Sequence, residues 1–217
     1  MLEAEIVSRL VALSSLKTES VRAVRREFSG ILRNASPEMV VELAYGLLAR
    51  TKGVYRVVAC ELVHYHQEAL RSLNAKKLER LGRGIDNWGA VDTFACYLAG
   101  PSWREHQVPD SLILRWARSK DRWWRRAALV STVPLNSKAR GGTGDPLRTV
   151  KVCEMLIEDR DDMVVKALSW ALRELSKRDR EAVRDFVRKH QNLLAPRVVR
   201  EVRAKLQTGL KNPPRSR

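Results

Sequence analysis

Ser36-Pro37-Glu38-Met39-Val40-Val41-Glu42-Leu43-Ala44-Tyr45-Gly46-Leu47-Leu48 reads as a complete helix with its own start signal. Ser36 is a capping residue whose side-chain oxygen can accept an N–H that the first turn leaves free. Pro37 falls at the first helical position, where its missing N–H removes nothing. Val40, Val41, Leu43, Ala44, Leu47 and Leu48 then recur at helical spacing and make an apolar face. The same grammar extends in both directions. Thr18 opens the preceding helix, with Val21, Val24, Phe28 and Ile31–Leu32 on its inner face. Asp86, Asp110, Asp121 and Asp179 each stand before a helical pattern and read as N-caps. Pro146 and Pro196 read as first-turn prolines after Asp145 and Ala195. No alternating run is long enough for a strand. The chain is expected to be all-α, with ten to twelve helices of about 11–12 residues each.

Short links between many short helices predict stacked antiparallel pairs, although no sequence repeat of fixed period is present. Residues 1–210 read as one array and residues 211–217 as a flexible basic tail. The stretch Leu135–Pro146 interrupts the rhythm with a polar, Gly-rich segment. It lacks the Gly-Lys-Ser/Thr ending of a P-loop, so it reads as a surface loop whose Lys138 and Arg140 can meet a phosphate.

The 217 residues carry 41 Lys+Arg against 25 Asp+Glu, a formal net charge of +16. The excess is uneven: +3 in residues 1–100 and +13 in residues 101–217. A basic surface of this kind suits a polyanion, and the second half should carry most of it. No apolar run approaches the roughly 20 residues that span a bilayer. The acidic start, Met1-Leu2-Glu3-Ala4-Glu5, lacks the order of a signal peptide. Cys60, Cys96 and Cys153 are dispersed, without a CxxC, which disfavours a zinc ribbon and fits core cysteines in a reducing cytoplasm.

Three segments carry more than core. In the helix around Ser169-Trp170-Ala171, Trp170 lies about 200° around from Leu168, at 100° per residue. It points away from the apolar stripe of Val164, Leu168, Ala171, Leu172 and Leu175, with Lys166 and Arg173 one turn to either side. A Trp among cations is a platform for a sugar, a base or a backbone; alternatively it packs under a neighbouring helix pair. In Asn87-Trp88-Gly89-Ala90-Val91-Asp92, Trp88 and Asp92 share a helix face. A carboxylate on the flank of a core stripe can stabilise positive charge developing in a substrate, or simply pair with an arginine. In Arg122-Trp123-Trp124-Arg125-Arg126, Trp123, Ala127 and Val130 share a core face, while Arg122 and Arg125 share another that reaches solvent. The guanidinia suit phosphate, and the block is equally readable as core plus a solvated face. His64, His66, His106 and His190 form no catalytic or metal-binding spacing. Neither a metal nor a nucleotide cofactor is expected.

These segments together resemble the AlkD-like DNA alkylation-repair glycosylases. The matching residues are Asn87-Trp88-x-x-Val91-Asp92, the Trp-x-Arg-Arg block at Trp123-x-Arg125-Arg126, and Lys166-Ala167-Leu168-Ser169-Trp170-Ala171-Leu172-Arg173-Glu174. Val21–Phe28 and residues 42–70 resemble the family's early helices, so the likeness runs over about residues 19–210. It implies a right-handed, C-shaped solenoid of HEAT-like helix pairs whose basic concave face cradles duplex DNA. It also implies a cytoplasmic monomer that excises cationic N3- and N7-alkylated purines, 3-methyladenine and 7-methylguanine among them. By motif position Asp92 is the catalytic carboxylate. Trp88 and Trp170 contact the backbone around the lesion, Arg125 or Arg126 holds phosphate, and Lys166 and Arg173 flank the DNA. The Gly-rich segment stands as an insertion between the second and third motifs. Two other readings stay open: a non-catalytic HEAT protein that binds damaged or branched DNA, and a protein-interaction solenoid.

Overall fold

The computed structural model describes residues 2–50 and 53–212. Fifteen α-helical segments occupy the described residues, and no strand is among them. They are α1 (Leu2–Val11), α2 (Thr18–Ile31), α3 (Pro37–Leu48), α4 (Gly53–Tyr65), α5 (Gln67–Arg71), α6 (Ala75–Leu81), α7 (Trp88–Phe94) and α8 (Gly100–Arg104). There follow α9 (Asp110–Ala117), α10 (Arg122–Ser131), α11 (Val133–Asn136), α12 (Pro146–Glu154), α13 (Asp162–Leu175), α14 (Arg180–His190) and α15 (Pro196–Thr208). The count exceeds the expected ten to twelve because proline-bearing stretches break into pieces. A wide π turn, Ala95–Ala99, joins α7 to α8, and α11 continues α10 past Thr132 with Pro134 in its first turn.

Most start signals hold. Ser36 Oγ accepts from Met39 N at 3.2 Å, and Asp121, Asp145 and Asp179 cap α10, α12 and α14. Each such cap is worth about 1 kcal/mol. Two expected caps shift by one position. Asn87 rather than Asp86 caps α7, accepting from Ala90 N at 3.0 Å. Asp110 is the first residue of α9, and its carboxylate is used by Trp103 Nε1, 2.8 Å away.

Consecutive helices pack as antiparallel pairs: α1 with α2, α3 with α4, α9 with α10, α12 with α13, and α14 with α15. One helix of each pair then lies against its counterpart in the next. The resulting row runs α2, α4, α7, α10, α13, α15. This is the stacking of an all-α solenoid, in which each unit buries its apolar face only against neighbours. The core is correspondingly continuous from Ile6 to Leu206. Helices inside the row are buried on more than one face. In α13, Val164, Val165, Ala167, Leu168, Ser169, Ala171, Leu172, Glu174 and Leu175 are all buried. At the end of the array the pattern loosens, and Ile31, expected on the inner face of α2, is exposed.

No described helix is long and apolar enough to cross a membrane. The three cysteines are buried and free, and burial pushes the Cys60 and Cys96 thiols up to about 12. They act as small apolar residues. Of the expected basic tail, Lys211 lies 3.7 Å from Glu201, and residues 213–217 lie outside the described residues.

Candidate active site

Asp92 sits in the last turn of α7, one step after the buried Val91 and just before the core Phe94. The stripe that buries Val91 and Phe94 therefore draws the carboxylate down with it, and its side chain keeps only 20% exposure. Across the gap to α10, Arg126 meets it with two parallel bonds. Nε donates to Oδ1 and Nη2 to Oδ2, both at 2.9 Å. Arg126 Nη1 donates to the carbonyl of Met163 at the start of α13, 2.6 Å away. One guanidinium thus ties three successive helices of the row together, with Asp92 at its fork. Burial raises the Asp92 carboxyl above its ordinary range, and the hydrogen bonds and charge of Arg126 oppose that rise.

Trp88, one turn earlier on the same helix, is 62% exposed. So large an aromatic surface beside a half-buried carboxylate is poor packing and good ligand surface. Trp170 lies two helices further along the row, on α13. It stands on the face expected for it: within α13 only Asp162, Met163, Lys166, Trp170 and Arg173 are not buried, although the Trp170 ring is partly covered and packs against the core.

The arginine block differs from its reading. Arg125, expected to reach solvent with Arg122, is only 20% exposed at its side chain. Its Nε donates to Asp159 at 2.6 Å, and its Nη1 to the carbonyls of Ser119 and Lys120. Arg122 does lie outward, over the Trp123 ring. Trp123 and Trp124 are both partly buried, and Trp124 closes an aromatic cluster with Phe94 and Trp116. Both arginines of the motif are engaged within the protein. Lys166 pairs with Asp162 at 2.6 Å. Arg173 donates to Ser169 Oγ at 3.2 Å, and burial lowers its basicity.

Sequence reasoning does not reach a second charged cluster, centred on Glu61 in the middle of α4. Glu61 is fully buried and holds Arg22 at 3.0 Å and Arg25 at 3.1 Å. Arg22 also donates to the Tyr97 hydroxyl at 3.0 Å, and Arg25 stacks over the Tyr65 ring. The signal was a lone carboxylate inside the apolar run Val57-Val58-Ala59-Cys60-Glu61-Leu62-Val63; a charge in such a place needs a partner. Next to it, His64 Nδ1 donates to the Tyr97 carbonyl at 2.8 Å. That carbonyl faces Pro101 four residues on, which has no N–H to give and whose ring crowds it. The π turn after Asp92 absorbs the misfit. Burial holds the His64 imidazole below its usual basicity.

The fold and this site define a class: a paired-helix array with a basic balance and a carboxylate fixed in the row of helices that stack from pair to pair. The profile of the DNA alkylation repair enzymes matches residues 11–206, and the chain belongs to that family. DNA carrying alkylation damage is accordingly what it acts on. No curated protein sequence matches the chain closely enough to serve as a named relative. Among the described residues no group of His, Cys, Asp and Glu side chains is arranged to hold a metal ion.

Proposed function

We propose that the protein is a monofunctional DNA glycosylase that hydrolyses the N-glycosidic bond of cationic N3- and N7-alkylated purines in duplex DNA. The observation that carries this reading is the Asp92–Arg126 fork, set beside the exposed face of Trp88. An N3- or N7-alkylated purine already carries positive charge. When its bond to C1′ breaks, the electron pair leaves with the base and neutralises it, while cation character builds on the deoxyribose. A carboxylate held at a fixed place stabilises that charge. It can also take the proton of the water whose oxygen bonds to C1′. Arg126 uses two of the lone-pair directions of Asp92 and leaves the others for the sugar and the water. The Trp88 face is attractive to the same cation. Trp170 serves as the second contact to the backbone around the lesion.

In this reading the row α2, α4, α7, α10, α13, α15 is the concave wall of a right-handed C-shaped molecule, and its cations follow the DNA backbone. The protein acts as a cytoplasmic monomer on the nucleoid. Lys166 and Arg173 exchange their internal partners for the duplex, and of the two motif arginines it is Arg125 that turns to phosphate, because Arg126 stays on Asp92.

The test is release of radiolabelled 3-methyladenine and 7-methylguanine from methylated duplex by the wild type and by Asp92→Asn. Release by the wild type alone supports the reading. Tight duplex binding without release by either protein would replace it with non-catalytic recognition of damaged DNA, in which the ion pair with Arg126 is purely structural.

A further inference from the structure

The segment between α11 and α12, which reads in the sequence as a polar surface loop, is built into the body. Asn136 is fully buried; its amide donates to the Thr132 carbonyl at 3.0 Å and to Thr149 Oγ1 at 2.9 Å. Its Oδ1 accepts from Asp145 N at 2.9 Å, which closes the segment at its far end. Arg178 reaches over from the turn after α13 to the carbonyls of Asn136 and Gly142. Arg104, at the end of α8, donates to the carbonyls of Arg140 and Pro134. Gly141 takes a left-handed conformation at φ 79°. A Cβ on Gly142 would stand 2.4 Å from the Pro134 carbonyl oxygen. These constraints together fix one short 3-10 turn, Lys138–Arg140, against the body.

What the turn delivers is the Arg140 guanidinium, 5.3 Å from the centroid of the Tyr97 ring. Tyr97 is pinned in turn, with its hydroxyl on Arg22 and the His64 ring set edge-on to its own. Asp145, in the same segment, is taken by Arg148, and Glu105 is taken by Arg104 at 2.8 Å. Among the described residues no carboxylate pairs with Arg140. The guanidinium lies over Tyr97, a residue of the π turn that directly follows α7, the helix that carries Asp92. A preorganised, half-buried guanidinium without a counter-ion favours an anion. A cation–π contact with Tyr97 uses none of its N–H donors, whose in-plane fork matches phosphate oxygens. A cationic purine would be repelled there.

We propose that Arg140 is a phosphate-binding residue for the damaged strand, set by the inserted segment over Tyr97, in the turn that follows the helix of Asp92. This rests on the reading of the chain as acting on duplex DNA and extends it to a contact that no motif supplies. The anion is a backbone phosphodiester within a few nucleotides of the lesion.

The experiment measures duplex affinity against salt for the wild type, Arg140→Gln and Arg140→Lys, with the melting temperature of each as a check on folding. Removing one phosphate contact lowers the slope of log Kobs against log[salt] by about 0.9. Arg140→Gln should show that decrease with a several-fold loss of affinity, and Arg140→Lys should restore the slope. A series of duplexes with one neutral methylphosphonate each then locates the contact, since Arg140→Gln loses nothing more when its own phosphate is neutral. Wild-type slope and affinity in a folded Arg140→Gln overturn the proposal, and so does a methylphosphonate series in which no position near the lesion shows that loss of effect. Should the wild type bind duplex but release no base, the glycosylase reading falls while the slopes still decide the role of Arg140.

Discussion

Arg126 holds both oxygens of Asp92, each at 2.9 Å, and anchors its third nitrogen on the Met163 carbonyl at 2.6 Å. The consequence is that the direction of the carboxylate is set by α10 and α13 as much as by α7. A lysine carries the charge but not the fork. Arg126→Lys should therefore fold and bind duplex DNA while its single-turnover excision rate falls by about 10–100-fold, the loss seen when an orienting partner is removed. Arg126→Ala leaves Asp92 buried without a counter-charge and should lower stability by about 3 kcal/mol in denaturant unfolding. Undiminished excision by Arg126→Lys would show that the fork does not orient the reacting group.

The same environment fixes a pH dependence. Burial raises the Asp92 carboxyl above its ordinary value of 3.8, against the pull of Arg126 and Arg140. The ionised form is the one that stabilises the sugar cation, so excision should fall as pH drops through the raised value. The acid limb of kcat/KM should accordingly lie above the ordinary carboxylate range. In Arg126→Lys it should move higher still, because the stabilising hydrogen bonds are loosened. A limb at or below the ordinary value, in a protein shown by melting to be folded, would mean that some other group titrates.

Glu61 gives a stability prediction with no catalytic component. It is the shared acceptor of Arg22 and Arg25, and its side chain is 1% exposed. Glu61→Gln keeps the shape and removes the charge, leaving the buried Arg25 guanidinium uncompensated. A loss of about 3 kcal/mol is expected, read as a lower denaturation midpoint at unchanged m-value. A change under 0.5 kcal/mol would show that the two arginines find other partners.

The helical class was legible in the sequence because its signals are local. Ser36 with Pro37, and Asp145 with Pro146, mark helix starts that need no tertiary information, and apolar spacing marks the faces they bury. The two shifted caps are errors of one residue, where adjacent Asp86 and Asn87 compete for one role. Trp170 lies on the face that the helical wheel assigns to it, with Lys166 and Arg173, but its partial cover was not legible: a wheel assumes one buried face, whereas α13 is enclosed between α10 and α15. The Asp92–Arg126 pair spans 34 positions, the Arg22–Glu61 pair 39 and the Arg22–Tyr97 bond 75. Such pairings depend on which helices become neighbours, and a sequence without a fixed repeat does not state that. The segment at Leu135–Pro146 was opaque for a related reason: glycine and asparagine read alike in a free loop and in one anchored by Asn136 and Gly142.

That anchoring predicts the behaviour of Gly142. Its missing side chain is required by the close approach of the Pro134 and Leu135 backbone, and backbone atoms cannot step aside as the end of a side chain can. Gly142→Ala should cost about 2 kcal/mol by overpacking and should weaken the carbonyl contact with Arg178.

Trp88 separates function from stability most cleanly. Its side chain is largely exposed, so little apolar contact is lost when it is cut back, and Trp88→Ala should change stability by less than about 0.5 kcal/mol. If its face meets the sugar cation or the backbone at the lesion, the loss should show in chemistry, since an aromatic platform is worth about 1–3 kcal/mol. That corresponds to a fall of about 5–150-fold in single-turnover excision. Trp88→Phe should recover part of the rate, because a smaller ring keeps a weaker version of the same attraction. Affinity for undamaged duplex should change less than the excision rate does. An unchanged excision rate in Trp88→Ala would leave the exposed ring without a role at the lesion and move the weight of recognition to Trp170.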